Sequence, residues 1–100
     1  MNIAKLIALA VAKANFKNES VNEMAENMVA DLSQTGMPVT TSWDEAKKSL
    51  GCDEFAVKEE VFRGYVVTKS NAVHEVRVLR LMKFGDLKVV YKLSVSGVAL

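Results

Sequence analysis

The sequence predicts an α+β fold in which N-terminal helices pack on one face of a C-terminal, three-stranded antiparallel β-meander. Apolar residues recur at helical spacing through the first half of the chain, whereas the last quarter holds two runs of alternating hydrophobicity on either side of Gly85. With 100 residues, half of them hydrophobic, the chain can bury one core but not two. We therefore expect a single domain over 1–100, helical over 1–50 and mostly β over 51–100.

Two helices are predicted before Gly36. Residues 2–15 are rich in Ala, Leu, Ile and Lys and contain no Gly or Pro, a composition that favours a helix. The apolar surface of this helix is wide, so we expect it to be deeply buried or pressed against a partner. The second helix covers 20–35, because Ser20 and Glu23 have the spacing of a capping box and Gly36 suits the C-terminal end.

A third, shorter helix is predicted over 42–50, where Ser42 and Glu45 repeat the capping-box spacing and Gly51 suits the stop. The next segment, 53–63, has two interpretations. Two charge pairs at i, i+4 spacing favour a helix, namely Glu54 with Lys58 and Glu59 with Arg63. Alternating apolar residues would also suit a strand, namely Phe55, Val57 and Val61. We predict the helix.

The hairpin around Gly85 is the most informative feature of the chain. A two-residue primed turn needs the positive φ that Gly provides. Counting outward from Gly85-Asp86 pairs Phe84 with Leu87, Met82 with Val89, Arg80 with Tyr91, Val78 with Leu93 and Val76 with Val95. Nine of these ten side chains are apolar or aromatic, so this face is the predicted core. A short strand at 65–68 is expected to add Tyr65 to the same face.

The opposite face of the hairpin is the predicted partner-binding surface. It combines an aliphatic patch with a basic frame, and its members are Arg77, Leu79, Leu81, Lys83, Lys88, Val90 and Lys92. An aliphatic patch ringed by charges is typical of a protein interface or of a second packed layer, and a solvated sheet surface is a further interpretation. Nucleic acid is less favoured as a partner, because single-strand binders interleave such charges with aromatic side chains.

Charge is distributed unevenly along the chain, although the net charge is only +1. Residues 1–60 hold six Lys and Arg against ten Asp and Glu, whereas 61–100 hold seven against two. The outward face of the second helix is a possible acidic contact face, made of Glu19, Glu23, Glu26 and Asp31. We expect a protein partner. A homodimer through the outer sheet face or through a sheet edge is also expected, because the terminal strand, ending over 96–100, is long and apolar.

No group of residues predicts catalysis, a metal site or a cofactor, so we expect a protein that is not an enzyme. Cys52 and His74 are the only residues of their types, and no nucleophile motif surrounds either of them. Arg80 on the core face should be paired, stacked on an aromatic ring or near an edge, and an anchor for an acidic ligand is the alternative. A lone cysteine fits the cytoplasm, and the apolar run near the N-terminus is too short to span a membrane.

A helix-turn-helix spacing runs through residues 44–66, with small and aliphatic residues at Leu50-Gly51-Cys52, Ala56-Val57, Val61 and Gly64. It resembles the helix-turn-helix of small phage repressors of the Cro type, and the hairpin after it is similar to the wing of winged-helix proteins. This resemblance implies a DNA-binding regulator whose second helix enters the major groove. That helix would present Asp53, Glu54 and Glu59 to the DNA, and carboxylates oppose binding to phosphates.

We therefore expect a small, non-catalytic binding or regulatory protein that acts by macromolecular contact. Accessory and inhibitor proteins of phages and mobile elements are commonly of this size, which makes inhibition by occupancy one form of that function. A helix-turn-helix or winged-helix DNA-binding regulator is the alternative.

Overall fold

The fold has three layers, with a four-stranded sheet between two helices on one face and one helix on the other. The computed structural model describes residues 2–17 and 20–98. Its elements, in chain order, are α1 Ile3–Ala14, α2 Val21–Gln34, β1 Val39–Thr40, α3 Trp43–Leu50, β2 Val57–Val67, β3 Val73–Met82 and β4 Val89–Gly97. The strand order is β1-β4-β3-β2, with β1 parallel to β4 and the other neighbours antiparallel. The predicted α+β class is confirmed, and a short parallel strand extends the predicted three-stranded meander.

Two of the helices begin at the predicted capping boxes. The hydroxyl of Ser20 accepts a hydrogen bond from the Glu23 N–H at 3.3 Å, and the hydroxyl of Ser42 accepts one from the Glu45 N–H at 3.3 Å. α3 ends at Gly51, whose φ of 65° lies in the left-handed region that Gly adopts without a steric penalty. The three helices expected before residue 51 are therefore confirmed.

The main core lies between α1, α2 and the inner face of the sheet. Its fully buried side chains come from both layers and include Ile7, Met24, Met28, Val66, Val76, Val78 and Leu93. β3 and β4 pair in the predicted register from Val76–Val95 to Met82–Val89. Burying each large apolar side chain contributes about 1.5–3 kcal/mol before entropy is subtracted, so this layer dominates the stability of the fold.

The predicted pairing of Phe84 with Leu87 is wrong. β3 ends at Met82 and β4 begins at Val89, so the six residues between them form a loop rather than a two-residue turn. Phe84 and Leu87 are 89% and 95% exposed. The Asp86 N–H donates to the Lys83 carbonyl at 3.1 Å, which closes a turn in the middle of the loop. Hydrophobic residues continue to alternate with polar ones in this loop, but the hydrogen-bonded ladder between β3 and β4 has ended. The alternation therefore no longer places the side chains on two faces of a sheet.

The helix predicted over 53–63 is also wrong, because β2 begins at Val57 and continues to Val67. Neither i, i+4 charge pair forms: Glu59 is ion-paired with Arg80 of β3 instead. Such pairs stabilise a helix by only about 0.2–0.5 kcal/mol, which a full-length neighbouring strand outweighs. Residues 44–66 thus comprise α3, a connection and most of β2, and the second helix of a helix-turn-helix is a strand here.

A β-bulge in β2 determines which of its side chains reach the core. The pairing with β3 shifts between Glu60 and Phe62, so that Phe62 pairs with Val78 and Val66 with His74. The extra residue reverses the alternation along the strand. Val66 is consequently buried, and Tyr65, which was predicted to face the core, is 53% exposed on the other face.

The outer face of the sheet is covered by α3, so the aliphatic patch predicted there is not a free surface. Leu81 and Val90 are 0% and 3% exposed and form a second core with Ala46 and Leu50 of α3. Leu79 packs against the same cluster. The topology explains this correction: β1 and β2 lie at opposite edges of the sheet, so the chain that joins them has to cross one face.

Candidate interaction surfaces

Lys92, predicted as part of the basic outer face, belongs to the α3 interface. It is only 8% exposed, its Nζ donates to the Ser94 hydroxyl at 2.8 Å, and the same Nζ lies 5.0 Å from the centroid of the Trp43 ring. Burial lowers the pKa of the Lys92 ammonium, since removing a charge from water disfavours the charged form. Lys92 therefore packs between the sheet and Trp43 of α3 and is not part of an exposed basic face.

Arg77 stays exposed on the outer face but is already ion-paired. The Glu60 carboxylate accepts hydrogen bonds from Arg63 at 2.9 Å and from Arg77 at 2.9 Å. Both guanidinium groups hold the pKa of Glu60 below its ordinary value of 4.5, and the hydrogen bonds from Arg63 have the larger effect. The cluster joins β2 to β3 and holds the Arg77 guanidinium in an ion pair with Glu60.

The Glu60 cluster predicts a pH-dependent difference in stability between the wild type and a Glu60→Gln variant. A carboxylate with a lowered folded pKa stabilises the fold at pH values above 4.5, and this contribution is lost as the pH falls through the folded pKa. Urea unfolding should therefore show the wild type to be the more stable protein near neutral pH and the two proteins to converge under acid conditions. A difference that grew on acidification would contradict this assignment.

Lys83 and Lys88 are the two predicted partner-binding cations that are both exposed and outside these contacts. They flank the loop between β3 and β4, where the hydrophobic residues Phe84 and Leu87 also project. The seven residues predicted as one binding face thus separate into three groups: a core under α3, an ion-pair cluster and the end of a loop.

Three of the four residues predicted as an acidic contact face lie in α2. Glu23 and Glu26 are exposed and Asp31 is partly buried, while Glu19 lies outside the described residues. Within Val21–Gln34 there is no Lys or Arg. α2 therefore carries acidic residues and no basic ones, with Glu26 toward β4 and Asp31 next to Lys13 of α1.

An open sheet edge lies directly beside this acidic helix. The Tyr91 N–H donates to the Pro38 carbonyl of the chain entering β1 at 2.8 Å, so the backbone polar groups of Tyr91 point toward β1. By the alternation of a strand, those of Val95 and Gly97 point the same way. β1 pairs only with Tyr91 and Lys92, and among residues 2–17 and 20–98 no strand pairs with the rest of this edge.

A groove of 370 Å³ follows this edge, with α2 as one wall. Its lining combines apolar residues and Glu26 of the helix with the β4 strand, which contributes one cation, Lys92, and it consists of Val21, Asn22, Ala25, Glu26, Thr41, Lys92, Leu93, Ser94 and Val95. We call it the α2–β4 groove. The long apolar terminal strand predicts an open edge here but does not predict the groove. The signal for it is the shortness of β1, since Pro38 and the Ser42 cap leave room for only two paired residues.

Hydrogen exchange should detect the open edge in the free protein. The Ser94 and Ser96 amides face β3, opposite Arg77 and Glu75, whereas the Val95 and Gly97 amides face the open edge. We expect alternating protection, with the outward amides exchanging about 100-fold faster or more than their neighbours. Uniform protection from 94 to 97, measured by NMR, would mean that another segment pairs with this edge.

The residues considered for catalysis do not meet in one place. His74 pairs with Gly97 near one end of β3, while Arg80 lies six residues further along and is ion-paired with Glu59, as expected for a core-face arginine. Cys52 packs against the outer cluster under α3, on the other side of the sheet. Within the described ranges, no group of His, Cys, Asp and Glu side chains has the arrangement of a metal site.

Comparison with models of protein families, with curated proteins and with solved structures gives no match to this chain. In the part of the chain that the structure describes, none of the three helices has both the length and the apolar character of a membrane span. The fold and its surfaces are therefore the basis for inferring function: a layered α+β protein with one acidic helix beside an open strand edge.

Proposed function

We propose that this protein is a non-catalytic binding protein that takes an extended, basic segment of a macromolecular partner into the α2–β4 groove. The observation that carries this proposal is the direction of the backbone along the open edge of β4, where Val95 presents hydrogen-bonding groups to the groove that Glu26 also lines. Binding would block or recruit the partner by occupancy, as a cytoplasmic accessory or inhibitor protein does.

Strand addition explains how such a groove binds. Main-chain hydrogen bonds between an extended peptide and a free edge give affinity, and alternate side chains give specificity. One set of peptide side chains would contact Val21 and Ala25 of α2, which line the groove together with Leu93 of β4. Lys or Arg side chains of the peptide would lie near Glu26, the acidic residue in the lining, where opposite charges increase the rate and selectivity of association.

Charge also favours a basic partner over a second copy of this chain at the same edge. Antiparallel pairing of two β4 strands would bring the acidic faces of two α2 helices together. Like charges placed across an interface oppose association. The homodimer through the sheet edge is therefore the less favoured occupant of this groove.

Fluorescence anisotropy with a labelled Lys-Val-Lys-Val-Lys-Val-Lys peptide tests the proposal. We expect saturable binding that weakens with salt, and no binding of the matched Glu-Val peptide. Glu26→Lys should weaken binding by about tenfold, the effect of about 1.4 kcal/mol. Glu54→Lys makes the same charge change away from the groove and should leave the affinity unchanged. Equal affinity for the basic and the acidic peptide would contradict the proposal.

The DNA-binding regulator gives a different result in the same set of experiments. Its support is the hairpin, which carries Lys83 and Lys88 at its end in the manner of a wing. A gel shift with duplex DNA that depends steeply on salt and disappears on replacing both lysines by Gln would favour that function. The acidic surface of α2 leads us to expect no shift.

A further inference from the structure

Phe84 and Leu87 are held outward by the loop between β3 and β4. The Lys83 carbonyl accepts from the Asp86 N–H at 3.1 Å, and an Asp86 carboxylate oxygen accepts from the Lys88 N–H at 3.0 Å. Gly85 provides the positive φ of 79° that this turn needs. We call the two projecting side chains the hairpin knob; they are 89% and 95% exposed. Isolated exposed apolar residues are ordinary, but two large neighbours on one ordered loop mark an interaction surface.

A concave apolar surface lies beside the hairpin knob. It is a groove of 540 Å³ between the start of α1, the end of α2 and the start of β4, lined by Ile3, Leu6, Thr35, Gly36, Met37, Pro38, Val89 and Tyr91. Val89 connects the two features, because it is the first residue of β4 after the loop and also lines this groove. We call this surface the terminal groove. Its volume lies in the range of about 300–1,000 Å³ in which pockets enclose an organic group.

We propose that the hairpin knob of one copy fills the terminal groove of a second copy, and reciprocally, in a two-fold symmetric homodimer. An isologous interface needs a surface that is complementary to itself. A convex and a concave apolar feature on the same end of one molecule meet that condition, because a two-fold rotation brings each knob to the groove of the other copy. Leu6 belongs to the wide apolar surface of α1 and also lines the terminal groove, so the second copy would cover part of that surface.

Charge complementarity supports a second copy as the occupant. Lys83 and Lys88 flank the hairpin knob, so the loop brings cations with it. One wall of the terminal groove is the C-terminal end of α2, which has no basic residue in its last turn. The C-terminal end of a helix attracts cations.

The inference is independent of the proposed function, because the terminal groove and the α2–β4 groove share no lining residue.

Sedimentation equilibrium of the full chain tests this dimer. We expect concentration-dependent dimerisation of the wild type and a dissociation constant at least about 100-fold higher for the double variant Phe84→Ser, Leu87→Ser. The matched control is Phe16→Ser, Tyr65→Ser, which removes two exposed aromatic side chains near the opposite end of the sheet and should dimerise as the wild type does. Circular dichroism checks that each variant keeps the fold.

A mixing experiment distinguishes reciprocal packing from other modes of association. Pro38→Lys places a cation in the terminal groove, where it would repel Lys83 and Lys88 of the second copy. The knob variant and the groove variant should each be largely monomeric, whereas an equimolar mixture should regain dimers, because one intact knob then meets one intact groove. A monomeric wild type, or a knob variant that dimerises normally, would overturn the proposal. A monomeric wild type that pellets with phosphatidylserine vesicles would assign the knob to a membrane surface instead.

Discussion

Replacing Leu81 by Ala is expected to lower the free energy of unfolding by about 2–5 kcal/mol, the largest effect of any single substitution considered for this protein. Leu81 is fully buried between the sheet and α3, against Ala46, Leu50 and Val90. Truncation removes buried apolar surface and leaves a cavity. The sheet and α3 are held in place by other contacts, so they cannot move closer to fill that cavity completely. Urea denaturation followed by circular dichroism measures the change.

Leu87→Ala is the matched control, because it makes the same chemical change six residues further along the same hairpin. Leu87 is 95% exposed, so the monomer should keep its free energy of unfolding within about 0.5 kcal/mol. Alternation counted from Gly85 gives the opposite ranking, with Leu87 in the core and Leu81 outside. A larger loss at position 87 than at position 81 would therefore mean that α3 does not cover this face.

Val95→Pro is expected to weaken binding of the basic peptide by about 10- to 100-fold, which corresponds to about 1.4–2.8 kcal/mol. The Val95 N–H points into the α2–β4 groove and not toward β3, so proline removes no hydrogen bond of the β3–β4 ladder. Proline is tolerated at edge positions of this kind. It deletes a donor that an added strand needs, and its ring obstructs the approach of that strand.

Val95→Thr provides the comparison for the proline variant. Threonine keeps the N–H and the β-branched shape, so the peptide affinity should stay close to that of the wild type. If Val95→Thr lost affinity as strongly as Val95→Pro, side-chain contact and not strand addition would explain the binding. If neither lost affinity, the peptide would bind elsewhere on the protein.

Local sequence patterns were sufficient for the helices and for most of the hairpin. The capping boxes at Ser20 and Ser42 are short-range signals that depend on a few adjacent residues, and in both the serine hydroxyl caps the helix as predicted. The β3–β4 register followed from alternation, because a one-residue slip would have exposed the whole inner face from Val76 to Val95. Within the β3–β4 hairpin, alternation failed at the loop, where Phe84 and Leu87 are exposed.

The remaining differences depend on long-range contacts that spacing does not encode. The charge pairs within 53–63 fit a helix locally, but β3 offers this segment a full-length partner, and the bulge after Glu60 then reverses which residues face inward. The apolar residues at Leu79 and Leu81 were a correct signal for contact, and the partner they meet is α3 of the same chain. The α2–β4 groove arises because β1 covers only part of β4, which is a property of the assembled sheet.

Titration of the isotope-labelled protein with the Lys-Val peptide, followed by amide NMR, tests the central claim most directly. The proposed function predicts shifts concentrated at the amides of Val95 and Gly97 and along α2 from Val21 to Glu26, together with slower exchange of the two edge amides. Shifts confined to the loop from Lys83 to Lys88, or the absence of any shift at peptide concentrations that saturate the anisotropy signal, would contradict it.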